Sequence, residues 1–465
     1  MASVETKPQQ VNFEQTGIER VSESDRAHTQ LWDTVWLWWS ANSVVATVAL
    51  GAISAFAGLG FGGTVLVIVL FNILGVLPVA FLSTLGPKTG LAQMPLTRFA
   101  FGLQGAKLPA LFNALACIGW SAVNSIIGAS LIVAWSAGKI PLPVALIFLA
   151  IVTTAVSVFG YFIVHRYERY AWIPMTILFA YVAFAAWGHF NPASVGAGAL
   201  ASPGLLFAGI LTFGGAIFGY AIGWSSYAAD YTRRQPANTP AGRVFTYAFV
   251  GITVPCILLE ILGALLATAP GAVPNLVGGL PGPLFVNAMG TGAVASVVLV
   301  LLAFSTIANN VPNDYSFALS TQVLGINVKR WALTIVGAVI YVSIALAIFQ
   351  QGFPGKLQGF LLLIAYWLGA WSIIVIIEHF RRKGEYPVAD YQDASKLPTG
   401  IAAVVSMVVG LAVAALGINQ LATFGYEGIL SKNLADADIG FPLAIVVAGV
   451  LFYFLRRWEV SRSGR

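Results

Sequence analysis

The chain has 465 residues, 58% of them hydrophobic and only 9% charged. An ordinary soluble domain carries about 25% charged residues, so too few charges are present here to cover a water-facing surface. The net charge of +6 is no nucleic-acid footprint either, because the basic residues sit in short loops between long apolar runs.

Cys117 and Cys256 both lie inside apolar runs, where a thiol packs as a small hydrophobe. They offer no disulfide framework and no thiolate metal site, and four scattered histidines argue against a metal centre. Residues 1–30 are polar and lack the apolar stretch of a cleavable signal peptide. They are expected to be a disordered cytoplasmic tail.

Twelve apolar segments follow, near 34–59, 62–85, 108–137, 142–163, 172–188, 205–227, 244–269, 285–312, 332–351, 358–378, 400–422 and 440–457. About 20 apolar residues cross a bilayer as a helix, so the chain reads as an all-α integral membrane protein of 12 spans. An even count places both termini on one side. With the N-terminus inside, all of the 24 Lys and Arg residues except Lys139, Lys356 and Lys432 fall in cytoplasmic segments. Every loop then meets the positive-inside rule, and one missed or extra helix would scramble the alternation. The expected organisation is a tail at 1–30, a ten-helix core at 31–378, a cytoplasmic loop at 379–399 too short for a domain, helices 11 and 12 within 400–458, and a tail at 459–465.

Several spans carry polar chemistry. Span 1 reads Trp38-Trp39-Ser40-Ala41-Asn42-Ser43-Val44-Val45-Ala46-Thr47, small and polar where a lipid-facing helix would use Leu and Ile. Span 3 holds Trp120 and Asn124, four apart and so on one helix face. That Asn makes either an interhelical hydrogen bond or a contact to a ligand stacked on the indole. At the start of span 5, Glu168 lies between Arg166 and Arg169, as a surface ion pair or a coupling group.

Span 6 holds Gly214, Gly215, Gly219 and Gly223 before Trp224. The glycines serve either close helix packing or local unwinding. Interrupted helices at corresponding places in two halves, here spans 1 and 6 of two five-helix halves, point to a transporter's midplane site. Glu260 in span 7 is an intramembrane carboxyl and a functional candidate by default, with packing or an interfacial role as the alternative. Span 8 closes on Ser305-Thr306-Ile307-Ala308-Asn309-Asn310-Val311-Pro312-Asn313-Asp314-Tyr315. Asp314 and Tyr315 either form a helix-end motif at the interface or belong to the site. Phosphate-loop, zincin and dinucleotide motifs are absent, so energy is expected from an ion gradient rather than from ATP.

At these residues the chain resembles the nucleobase–cation symporter family, which includes cytosine and purine permeases. The likeness rests on Trp36–Asn42, Gly86–Gly90, Pro95–Gly102, Gly119–Asn124, His165–Pro174, Gly223-Trp224 through Asp230–Arg234, and Asn309–Tyr315. Each motif is weak singly; their order and spacing over nearly the whole chain are specific. The resemblance implies the five-plus-five inverted repeat of the leucine transporter, two extra C-terminal helices, and alternating access.

For substrate binding it implies Trp120 and Trp224 flanking a planar ligand, Asn124 and Asn313 bonding its edge, and the backbone of Gly223. For a sodium ion it implies carbonyls of Ala41 and Val44 with hydroxyls of Ser305 and Thr306; for proton coupling, Glu168. The function it implies is import of cytosine or a purine across the plasma membrane with co-transported H+ or Na+. No enzyme activity, no other cofactor and no nucleic-acid partner are expected. A carrier of allantoin, hydantoin, uracil or a vitamin is the nearest alternative. A membrane-embedded sensor or enzyme is more distant, since no soluble output domain and no convergent acid–base set is visible.

Overall fold

The computed structural model describes residues 17–26, 29–159, 161–194, 202–276, 279–326 and 328–465, with the side chains of 159, 161–169 and 330 outside the description. Each predicted apolar segment falls on a helix. Span 1 is a bent pair, Trp32–Asn42 and Val45–Ala52, the latter tightening into Ile53–Phe56. Spans 2 to 6 are Phe61–Ser83, Lys107–Trp135, Leu142–Phe159, Tyr161–Ala186 and Pro203–Ile222. Spans 7 to 12 are Ala241–Leu266, Ala293–Leu324, Arg330–Ile348, Phe353–Arg381, Ile401–Ala414 and Gly440–Ser463.

Among the described residues nine helices are long and apolar enough to cross a membrane, ten when the bent pair counts as one. Leu142–Val158 and Ile401–Ala414 are apolar but shorter. Leu66, Leu70, Leu74 and Leu77 recur along one face of span 2, all exposed, as a lipid-facing stripe requires. A two-residue antiparallel ladder, Asn419–Gln420 with Tyr426–Glu427, links spans 11 and 12.

Two groups of four helices form the interior. Spans 1, 2, 6 and 7 pack together, as do spans 3, 4, 8 and 9, with span 8 lying along span 3. Span 10 packs on span 6, and spans 11 and 12 pack on each other and on span 10. The members of each group occupy matching places in the two five-helix halves.

Residues 17–26 and the C-terminal residues lie against loops at one end of the bundle. Arg26 donates to the carbonyls of Pro87 (2.8 Å) and Thr89 (3.3 Å), Arg98 to that of Tyr391 (3.4 Å), and Arg465 to that of Ala394 (3.2 Å). Residues 17–26 of the expected tail therefore pack onto the bundle, with Arg26 buried.

The two kinds of interruption differ. Span 1 breaks by 57° where Val44 is extended (φ −135°, ψ 159°). Side chains at the break bond to backbone of span 1: Asn42 Nδ2 donates to Trp38 O (2.8 Å), and Thr47 Oγ1 donates to Asn42 O (2.7 Å), a carbonyl freed by the break. Span 6 instead tightens into a 3-10 turn at Gly223–Tyr227 and then turns through 228–235. Gly219 has a packing role, since a Cβ there would collide with the carbonyl oxygen of Leu361.

Span 8 corrects the expected boundary. The segment expected at 285–312 is two helices, Gly282–Met289 and Ala293–Leu324, separated at Gly290 with φ 72°. Proline at 312 does not end the second helix, because buried packing against span 3 carries it on to Leu324. Asp314 is therefore no interfacial helix end: it is buried, and Ser157 Oγ donates to its Oδ2 at 2.6 Å.

Candidate functional site

Spans 3, 6 and 8 line a buried pocket with Trp120, Asn124, Tyr220, Gly223, Trp224, Tyr227, Asn309 and Asn313, and span 1 stands behind it, with Asn42 bonded to Trp224 and Ala41 O to Asn309. None of the lining side chains is ionic. All five expected substrate residues, Trp120, Asn124, Gly223, Trp224 and Asn313, lie on its wall.

The indole of Trp120 is held edge-on by Tyr220 (5.5 Å between ring centroids) and by Phe360 (5.0 Å). Gly223 stands across from it, where a Cβ would sit 3.3 Å from Trp120 Cζ2; glycine sets the width of the slot. Trp224 is braced by Trp38 (5.3 Å) and Tyr227 (5.7 Å), and its Nε1 donates to Asn42 Oδ1 at 2.8 Å. The break in span 1 thus fixes an indole of span 6.

The amides form a chain. Asn124 Nδ2 donates to Asn309 Oδ1 (2.8 Å), and Asn309 Nδ2 donates to the carbonyl of Ala41 (2.7 Å). Tyr227 donates to Asn313 Oδ1 (3.0 Å), and Asn313 Nδ2 to Asn309 O (3.3 Å). Asn310 turns away, donating to Ser125 Oγ at 3.0 Å.

Tyr220, Tyr227 and Asn309 were not singled out as site residues from the sequence. Their signal was spacing: Tyr220, Trp224 and Tyr227 follow the i, i+4, i+7 rule for one face, and Asn309 lies one turn before Asn313.

A second, small pocket lies beside the break and is lined by Ser40, Ala41, Ser43, Val44, Ala171, Met175, Ser305 and Ala308. Three of the residues expected to hold a cation, Ala41, Val44 and Ser305, meet here. Proline at 312 has no N–H to give the carbonyl of Ala308, so another oxygen is freed on this wall. Thr306 is not among the lining residues. Its hydroxyl donates to Ala303 O (2.7 Å) and occupies the space beside Gly128 of span 3. Glu168 falls among the side chains outside the described residues. Among the described residues no cluster of three His, Cys, Asp or Glu side chains could hold a metal ion.

Residues 20–435 match the family described as "Permease for cytosine/purines, uracil, thiamine, allantoin". The chain belongs to the nucleobase–cation symporter family. Its members are membrane transporters, which excludes the enzyme reading. The chain is 36% identical to the purine-cytosine permease fcyB of Emericella nidulans over all of its length and 92% of that protein. It is 34% identical to the purine-cytosine permease FCY2 of Saccharomyces cerevisiae, covering 98% of this chain and 88% of that one.

Among solved structures, Mhp1, described as a nucleobase-cation-symport-1 family transporter in a closed conformation with bromovinylhydantoin bound, superposes with a TM-score of 0.72. The match covers 96% of both chains at 15% identity. At that identity it establishes the fold: the five-plus-five repeat that the sequence led us to expect.

Proposed function

We propose that this symporter imports a nucleobase, cytosine or a purine, across the plasma membrane together with a cation, H+ or Na+, with both termini in the cytoplasm. The observation that carries the reading is the pocket itself: two indoles and three asparagine amides on a buried wall with no ionic side chain. A nucleobase is flat and neutral with donors and acceptors around its rim. Stacking on an aromatic side chain contributes about 1–3 kcal/mol per base, and asparagine offers two donors and an acceptor to a mixed edge. Trp120, Trp224, Asn124, Asn313 and the backbone at Gly223 are assigned to the base.

The pocket at Ala41, Val44 and Ser305 suits a hard cation, which takes carbonyl and hydroxyl oxygens. The orientation is supported by the basic residues gathered at the end of the bundle that holds residues 17–26 and the C-terminal residues. A related heterocycle such as allantoin or uracil is the second reading, favoured by the breadth of the family description.

Uptake of labelled cytosine and adenine into proteoliposomes, with sodium and pH gradients imposed separately, tests this. Accumulation under one of the two gradients is expected. No accumulation of any base under either would refute it.

A further inference from the structure

Glu260 plays no part in either pocket, yet it is the acid least suited to plain packing. It is fully buried in span 7, six residues before that helix ends at Leu266, or about 9 Å along the axis. Its one hydrogen bond is from Asn72 Nδ2 of span 2 to Oε2, at 2.5 Å. Oε1 has no partner, and neither has Asn72 Oδ1. Asn72 Nδ2 is fixed by a second bond to Ile68 O at 2.9 Å.

Among the described residues no Lys, Arg or His forms an ion pair with this carboxyl. The half-span Val45–Ala52, span 2 and the helix Gly282–Met289 carry no titratable side chain. The first half of span 1 has only Asp33, at its far start, and span 5 has Tyr170 and Tyr181 among its described side chains. Cys256, one turn away on the same helix, and Tyr220 of span 6 are the groups that face it. A bare carboxylate held by a single amide donor in an apolar interior costs several kcal/mol, and a proton on Oε1 removes that cost.

The position also reaches the base. Tyr220, on the pocket wall, shares a hydrogen bond with Thr47 just past the break (2.6 Å). Cys256 Sγ donates to Asn42 Oδ1 (3.2 Å), the atom that holds Trp224. Backbones touch too: a Cβ at Gly51 would collide with the carbonyl oxygen of Glu260. Thr64, two turns before Asn72 on the same buried face, adds a hydroxyl without a partner near the start of span 2.

We infer that Glu260, held by Asn72, is the proton-binding site that couples a pH gradient to base transport. An O–H bond forms on Oε1 when the site is open to the outer side and breaks when it opens to the cytoplasm. The charge change acts on the half-span Val45–Ala52 that packs on it. The inference rests on the function proposed above and names the coupling group.

The test uses the full chain in liposomes. Cytosine counterflow, which needs no gradient, reads the base site; accumulation under an imposed pH gradient reads coupling. For E260Q, counterflow is expected to fall less than about three-fold and accumulation more than about ten-fold, the size of an ordinary coupling free energy. Accumulation by E260Q equal to that of the unaltered protein overturns the inference. Where E260Q loses both activities, Asn72→Ala decides: a pH profile of accumulation displaced by roughly one unit supports the assignment, and an unmoved profile overturns it.

An unaltered protein without counterflow of any base would defeat the proposed function instead. Infrared difference spectra of the purified protein across pH then read the carboxyl directly. A carboxylic-acid carbonyl band absent from E260Q supports the site, and no such band overturns it.

Discussion

Spans 1 and 8 meet at the same place and are polar to a similar degree, yet one breaks and the other does not. Span 1 has a 57° bend, and its Asn42 and Thr47 bond both to carbonyls of span 1 and to Trp224 and Tyr220 of span 6. Span 8 runs unbroken from Ala293 to Leu324 through a proline and turns Asn309, Asn310 and Asn313 outward to other elements. Backbone irregularity at membrane depth is tolerated where it lines a cavity, and the pocket at Ser40, Ala41, Ser43 and Val44 borders the break in span 1. Span 1 supplies backbone oxygens, and span 8 supplies amides that face them and the neighbouring pocket. Asn309 is the cross-link, since it accepts from Asn124 and donates to Ala41.

Cutting that link should have the largest effect. Asn309→Ala leaves the Asn124 amide and the Ala41 carbonyl unpaired in a buried site, at about 1–3 kcal/mol each. Base affinity is expected to fall by about 100-fold or more, measured by labelled cytosine binding. An effect under about three-fold would mean that the two spans do not work through this residue.

Removing an indole comes next. Trp120→Ala should weaken binding by roughly 5- to 150-fold, the equivalent of one stacked base, without changing the concentration of cation needed for half-maximal uptake.

Two hydroxyls separate the sides of span 8. Ser305→Ala is expected to raise that half-maximal sodium concentration by about ten-fold where sodium drives uptake, a net loss near 1.4 kcal/mol. Thr306→Ala, on the side facing Gly128, should leave it within about two-fold. The reverse order would place the cation on the span 3 side.

The smallest effect is expected from Pro312→Ala. It restores a donor for the Ala308 carbonyl and should change cation dependence by about two- to three-fold. No change would show that this carbonyl is not used.

Much of this was legible beforehand, for identifiable reasons. The twelve segments stood out because a helix that crosses a bilayer needs a long apolar run. Trp120 with Asn124 could be found because a spacing of four puts the pair on one helix face, whereas Gly223 with Trp224 came from the family resemblance. The end of span 8 was misread because proline usually closes a helix, and only tertiary packing along span 3 shows that it does not here. Nor did the sequence reveal that Asn42 grips Trp224 across 182 positions. That bond depends on the fold, not on local spacing. The resemblance grouped Thr306 with Ser305, but neighbours on a helix point about 100° apart, and only Ser305 lines the second pocket.

The most direct test of the account is binding of labelled cytosine to the purified protein and to Asn124→Ala and Trp224→Ala, with thermal unfolding followed alongside. Both variants are expected to lose at least about 30-fold in affinity, near 2 kcal/mol, while unfolding cooperatively like the unaltered chain. Unchanged cytosine binding in both would contradict the pocket lined by spans 3, 6 and 8.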